Sequence, residues 1–415
     1  MKNFWKNYKQ TIILLVALIA GAIIGLIAGE KAAILSPFGD LFMNLLFVVI
    51  VPLIFLTITT SIAKIKQPKR LGKVILSTFG VFIVTSLIAC LIGLVITYSI
   101  KLVNPNDTKT IIATLSDTVE ETKEEMSILS RTVQAISVND FKDIISKNSI
   151  VALVVMSILT GLAINKSGEA GDKLLSVLES ANTVVLKLVD IIFLYAPIGL
   201  GCYFAALIGT FGGEIALGYL KTFLIYTIAA VLFYFIFYTL YAFIAAGKDG
   251  VKAFWRNILP ATATSISTCS SAASIPANLK SAKGIGIPND IAETVIPLGT
   301  SFHKDGSVIG SVFKIMFLVY LFGTNVYSPG SIFKVIGVAL IANLLITAVP
   351  VGGGTISEMM IISLMGFPMA SLPILTIIAT IIDPAATLLN VTGDSASSML
   401  VTRLVDGKNW LKKKK

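Results

Sequence analysis

His303, Lys304 and Asp305 stand in a row in Pro297-Leu-Gly-Thr-Ser-Phe-His-Lys-Asp-Gly-Ser-Val-Ile-Gly310, with apolar sequence on both sides. Asp383 and Asp394 interrupt a second apolar run, and Glu358 follows a break in a third. An ionisable group at membrane depth costs about 3 kcal/mol on insertion scales, so such groups normally serve a function. Their chemistry is that of cations. Carboxylates offer hard oxygen ligands to a hard cation and accept charge-assisted hydrogen bonds from an ammonium group. Histidine titrates near neutrality and a buried lysine shifts readily, so either can exchange protons. An enzymatic alternative is an intramembrane hydrolase, with Ser270 or Ser271 and Lys304, or His303 and Asp305, as nucleophile and base. The chain has no G-x-S-x-G elbow, His303 is its only histidine, and that scheme leaves three separate carboxylates without a role.

The elements that must position these residues are membrane helices. Of 415 residues, 55% are hydrophobic and 13% charged, about half the charge of an ordinary soluble chain. Apolar runs near the roughly 20 residues that cross a bilayer recur at 11–29, 39–63, 75–100, 149–164, 182–209, 217–246, 306–323, 332–349 and 369–391. No strand-period pattern of the barrel type is visible. The expected fold is an all-α polytopic membrane protein with no separate soluble domain. Cys90, Cys202 and Cys269 lie in or beside apolar segments, with neither a disulfide framework nor a zinc spacing.

The net charge of +10 fits a topology rather than a nucleic-acid partner. Basic clusters around Lys6, Lys69, Lys252, Lys280 and Lys412 all fall on one side if the N-terminus is cytoplasmic. That is the positive-inside pattern, with both termini cytoplasmic in the cell membrane. The acidic 104–148 loop then falls outside.

After residue 250 the pattern changes. Ala261–Asn278, ATATSISTCSSAASIPAN, is too polar to face lipid and too apolar for a loop. Ala348–Ser357, AVPVGGGTIS, is a second break between apolar flanks. Backbone outside a helix must line a protein cavity at membrane depth. Paired interruptions of this kind point to a substrate site at the midplane, and hairpin tips offer free N–H groups to carboxylates.

Three segments carry a family resemblance: Thr268-Cys-Ser-Ser-Ala-Ala-Ser-Ile-Pro276, Pro297–Ser307 and Asn390-Val-Thr-Gly-Asp394. In order and separation they resemble the serine-rich hairpin, the "NMDGT" motif and the "NVTGD" motif of the glutamate/aspartate transporter family, the dicarboxylate/amino acid:cation symporters. The resemblance covers nearly the whole chain. It implies eight transmembrane helices plus two re-entrant hairpins, at 251–285 and 332–366, in an elevator-type homotrimeric transporter. Scaffold helices one and two would occupy 1–74, transport-domain helix three 75–103, the extracellular loop and scaffold helices four and five 104–216, transport-domain helices six to eight 217–405, and a basic cytoplasmic tail 406–415.

Residue by residue, the resemblance makes Asp383 the partner of a substrate α-amino group. Asn390, Thr387, Ser270, Ser271, Gly352 and Gly353 surround the substrate, with Asn390 also helping a coupling cation. Asp305 and Asp394, with Asn390, match sodium-site positions. Thr85 and Ser86 match hydroxyls of another cation site, where the family usually has tyrosine in place of Phe82. Sodium enters as a possible coupling ion; no cofactor is implied.

The departures bear on selectivity. The arginine that clamps an acidic side chain in this family is replaced by Ala386, or by Cys269 at its alternative place in hairpin one. Its usual aspartate partner is replaced by Ala379. A second substrate carboxylate would then be buried unpaired, so the expected substrate is a small neutral amino acid such as serine, threonine or alanine. The alternative is an acidic amino acid or dicarboxylate paired with Lys304 or Arg256. His303 replaces the motif's asparagine and Lys304 its methionine. Three readings stay open: Lys304 replaces a coupling cation, His303 or Lys304 exchanges protons, or Lys304 points into a polar crevice and sodium binds as usual. A passive channel is a further alternative class.

Overall fold

The computed structural model describes residues 2–64, 69–103, 137–145, 149–211, 213–344 and 353–411. Among these residues the fold is all helix, without strands. In chain order the helices are α1 (Lys2–Ala28), α2 (Ser36–Ala63), α3 (Lys69–Ser99), the single turn α4 (Phe141–Ile144), α5 (Ile150–Lys166), α6 (Gly168–Leu194), α7 (Ala196–Phe211) and α8 (Gly213–Asn257). Then follow α9 (Leu259–Thr268), α10 (Ser271–Ile285), α11 (Asn289–Phe302), α12 (Asp305–Leu321), α13 (Pro329–Leu344), α14 (Gly353–Met365) and α15 (Leu372–Asp406). Val16–Phe42, Lys73–Ser99, Ile215–Asn257 and Met369–Asp406 are each long and apolar enough to cross a membrane. Leu76, Val84, Val95, Ile228, Leu232 and Phe235 are exposed on such helices, the outward apolar surface expected of helices solvated by lipid.

Several expected boundaries move. The single span at 182–209 is two helices, α6 and α7, parted at Tyr195 just before Pro197. Proline lacks the N–H that would continue the ladder, and it is tolerated in a helix's first turn. The first hairpin is tighter than 251–285. Helix α8 runs on to Asn257 across a bend at Ala246–Gly247, and the two arms proper are α9 and α10. Proline at the start of α9 fits that same first-turn rule. The second hairpin has arms α13 and α14, and its 345–352 tip lies outside the described residues. Trp410, just past α15, is buried and donates to the carbonyl of Ala245 at 3.1 Å.

The helices pack in two groups. Helices α1, α2, α5, α6 and α7 pack on one another, α1 on α7 and α2 on α5, α6 and α7. The second group is built around α15, which touches α3, α8, α9, α10, α11, α12 and α14. The groups meet where α5 reaches α14, α1 reaches α9, and α7 reaches α8 and α15. Almost every side chain of α12, and of α15 from Ala386 to Met399, is buried. Burial on all sides explains why α15 carries Thr, Ser, Asn and Asp in its middle: its neighbours are protein, not lipid, and satisfy them.

Candidate functional site

The 303–305 motif is not inside a helix. His303 and Lys304 are the extended break between α11 and α12, with φ/ψ of −122/113 and −145/70. Asp305 then opens α12, where a carboxylate faces the positive end of the helix dipole. The break therefore turns three consecutive charged residues inward together, which a continuous helix, with its 100° step, does not do.

His303 is fully buried and is the hub of a cluster. Its Nδ1 lies 3.0 Å from Oδ1 of Asp394 on α15. Its Nε2 lies 2.8 Å from Oγ1 of Thr85 on α3 and 3.1 Å from Oδ1 of Asp305. Its ring stacks on Phe82 with centroids 4.4 Å apart and planes 16° apart. Two glycines make room. A Cβ at Gly299 would strike the Asp394 carboxylate, and one at Gly393 would strike the Tyr238 hydroxyl and crowd Asp305. Tyr238 donates to the carbonyl of Leu389 at 2.7 Å and stands 3.4 Å from Oδ2 of Asp305. Ser86, next to Thr85, is buried but forms no hydrogen bond to this cluster.

The substrate-side residues lie on the adjoining face of α15. Asp383 is the one aspartate of the three that solvent reaches, and it accepts from Thr387 at 3.2 Å. Asn390 is tied to the start of α12: its Oδ1 accepts from the Ser307 amide at 3.1 Å and its Nδ2 donates to Ser307 Oγ at 3.0 Å. In hairpin one, Ser270 accepts from the Ala273 amide at 3.2 Å and so caps α10, which Ser271 opens. Cys269, at the tip, has a left-handed φ of 47°, which no other described non-glycine residue has; such a conformation costs about 1–3 kcal/mol and tends to mark functional turns. Asn278 stitches this hairpin to α15, donating to the Val391 carbonyl at 2.7 Å and accepting from Ser395 at 2.5 Å. Ala386 is buried and packs its backbone on Gly306 of α12. Gly352 lies outside the described residues, and Gly353 opens α14.

Lys304 is buried, with Asp394 and Asp383 within electrostatic reach. Arg256 is exposed at the end of α8, at the root of hairpin one rather than its tip. Sequence reasoning passed over Lys314. It sits mid-helix in α12, buried, with its ammonium 3.5 Å from Oε1 of the buried Glu358 on α14. Thr376 of α15 donates to the other Glu358 oxygen at 2.9 Å. Lys314 and Lys304 are the basic side chains within electrostatic reach of Asp383. The signal was available: a lysine inside Val312-Phe-Lys-Ile-Met316 is an intramembrane charge like the others. Asn343 of hairpin two adds a neutral link to the same seam, donating to Ser311 at 2.8 Å.

The arrangement holds carboxylates, ammonium groups and two helical hairpins around one helix, with solvent reaching one aspartate. That geometry suits a small charged solute, and no acyl-transfer constellation stands among the described residues: Ser270 is spent on a cap, and His303 is enclosed by carboxylates. Comparison with known proteins agrees. A sequence model of the sodium:dicarboxylate symporter family matches residues 11–404. The chain is 28% identical to a C4-dicarboxylate transport protein of Sphingopyxis alaskensis, over 96% of this chain and 89% of that one. It is 25% identical to a proton/sodium-glutamate symport protein of Geobacillus stearothermophilus, over 92% of each. It is 26% identical to the L-cystine uptake protein TcyP of Shouchella clausii, over 96% and 90%. These are transporters, so the hydrolase alternative falls. With its motifs in order and the match spanning nearly every helix, the chain belongs to the sodium:dicarboxylate symporter family and is a multi-pass membrane transporter, not an enzyme.

Proposed function

We propose that the chain is a cation-coupled symporter for an acidic amino acid, carried with its ammonium on Asp383 and its second carboxylate toward Lys314 and Lys304. The observation that supports this reading is Lys314, a second buried lysine that with Lys304 lies within electrostatic reach of Asp383. The expectation of a neutral substrate rested on the missing cation at Ala386 and Cys269. A cation is nonetheless supplied, from α12 and from the α11–α12 break rather than from α15. C4-dicarboxylates, glutamate and cystine, for which the relatives are named, each carry two carboxylates, and this also favours an anionic side chain. Asp383 favours an amino acid over a plain dicarboxylate, because an unpaired carboxylate beside it would be repelled. A neutral amino acid is the second reading, since Glu358 already engages Lys314 at 3.5 Å. Uptake by the reconstituted protein of labelled glutamate, aspartate, succinate and serine separates them. Serine uptake unaffected by excess glutamate would overturn the acidic reading, and succinate outcompeting glutamate would overturn the role of Asp383.

In the same reading transport follows an elevator motion of a homotrimer with cytoplasmic termini. Residues 1–74 and 104–216 form the scaffold, and 75–103 and 217–405 the moving domain. The separate packing of α1, α2, α5, α6 and α7 from the helices gathered on α15 supports that division. Ser270, Ser271, Thr387, Asn390, Gly352 and Gly353 contribute to the substrate site, and the basic 406–415 tail stays inside. A cross-link between α7 and α8 that arrests uptake, with substrate binding retained, is the expected sign of the motion; full uptake with the cross-link in place would refute it.

A further inference from the structure

A family of sodium-coupled proteins raises a question of fit: can the oxygens of Thr85, Asp305 and Asp394 hold a cation here? An ion shared by them would sit within about 2.6 Å of each oxygen. That common point is where the imidazole is. Nε2 stands 2.8 Å from Thr85 Oγ1 and 3.1 Å from Asp305 Oδ1, and Nδ1 stands 3.0 Å from Asp394 Oδ1. Among the described residues no group of three or more His, Cys, Asp or Glu is arranged to hold a metal ion.

Counting hydrogens favours one state of the ring. The Thr85 hydroxyl has carbonyl acceptors on its own helix, Val81 at 3.0 Å and Phe82 at 3.2 Å, which leaves its oxygen free to accept from His303. Asp394 accepts at the other nitrogen. Neutral imidazole has one N–H; only the imidazolium donates from both nitrogens. Oδ1 of Asp305 receives no hydrogen bond, and Nε2 of this ring stands 3.1 Å from it, where a positive charge would compensate it. Phe82 completes the site with its face against the ring, the geometry of a cation–π contact. A tyrosine at 82 would add a hydroxyl to the cage; phenylalanine adds only a π-face.

We propose that the imidazolium of His303 is a resident cation standing in place of one coupling ion, so that no alkali cation binds among Thr85, Asp305 and Asp394, and any transported sodium binds elsewhere. Lys304 is then not the replacement. The proposal rests on the symporter reading but not on the substrate assigned above, because both tests below are done without substrate.

The chain has a single histidine, so nitrogen-labelled histidine in the full-length protein, held in lipid nanodiscs, gives one imidazole spin system. Both ring nitrogens are expected to carry a hydrogen, and their signals to be unmoved when choline chloride is exchanged for sodium chloride. A ring with one bare nitrogen, or a ring displaced by sodium, would overturn the proposal. Equilibrium binding of radioactive sodium is the second test: His303→Asn should bind one more sodium ion per chain than the unaltered protein. Equal binding in a variant that elutes as a folded particle would overturn it, and if the variant does not fold, the spectra of the unaltered protein decide. Absence of glutamate and aspartate uptake, with both results as expected, would sink the substrate assignment alone.

Discussion

Two buried ionic clusters sit along the same helix, α12, and they are built differently. At its start His303 is enclosed at 2.8–3.1 Å by Thr85, Asp305 and Asp394, with glycines shaping the space. Nine residues on, Lys314 stands 3.5 Å from Glu358, whose Oε1 has no hydrogen bond. A buried pair repays its desolvation only when geometry is good and the remaining lone pairs are met. The first cluster comes nearer to that condition, with shorter contacts at both ring nitrogens although Oδ1 of Asp305 also lacks a hydrogen bond, and reads as the more permanent. The second leaves an ammonium able to exchange partners, which is what a reversible carboxylate site requires. The contrast teaches that charge inside a membrane protein is not one signal: tight closure marks structure and fixed charge, and loose pairing marks exchange.

The strongest way to break that comparison is at its tight end. His303→Leu should leave two facing carboxylates without a cation and cost about 3–5 kcal/mol, seen as loss of folded protein on thermal unfolding in detergent with or without sodium. A variant as stable as the parent would show that the cluster is not ionic. At the loose end, Lys314→Met should cost less stability than His303→Leu, because Glu358 keeps the Thr376 donor, and should reduce glutamate uptake on the order of 100-fold, following the 2–5 kcal/mol typical of a truncated buried charge partner. Serine uptake that falls equally would assign Lys314 a structural role instead. Asn278→Ala tests a neutral control, since it removes two buried bonds between hairpin one and α15. Its expected cost is about 1–3 kcal/mol, read as a lower melting temperature with unchanged selectivity. The smallest effect belongs to Thr376→Val. It removes one donor to Glu358, about 1 kcal/mol, and should loosen the Lys314 pair enough to change the apparent affinity for glutamate before it changes stability.

Much of the fold was legible. Apolar run lengths and the polar interruptions at 261–278 and 348–357 mark helices and hairpin arms without coordinates, because the bilayer imposes length and satisfaction rules on the chain. Asp305, Asp383 and Asp394 stood out for the same reason, whereas Thr85 and Ser86 were named through the family resemblance alone, and of the two it is Thr85 that reaches His303. The misplaced boundaries have local causes: Pro197 splits what reads as one apolar run, and a bend at 246–247 is invisible to hydropathy. Lys314 was overlooked because the motifs of the resemblance drew attention to Ala386 and Cys269, where the clamp was missing.

By itself, then, the sequence determined that this chain crosses a membrane repeatedly and carries charges where only a transported solute or ion justifies them. Only the tertiary structure decided which charges neutralise which. That His303 rather than Lys304 lies between Asp305 and Asp394, and that Lys314 meets Glu358, depends on residues 44 to 218 positions apart, Lys314 to Glu358 and Thr85 to His303, being brought to 3.5 and 2.8 Å. The physical reason is range. Burial follows from composition along the chain, but an ion pair is set by ångström distances across helices, and these exist only once α3, α12, α14 and α15 have packed.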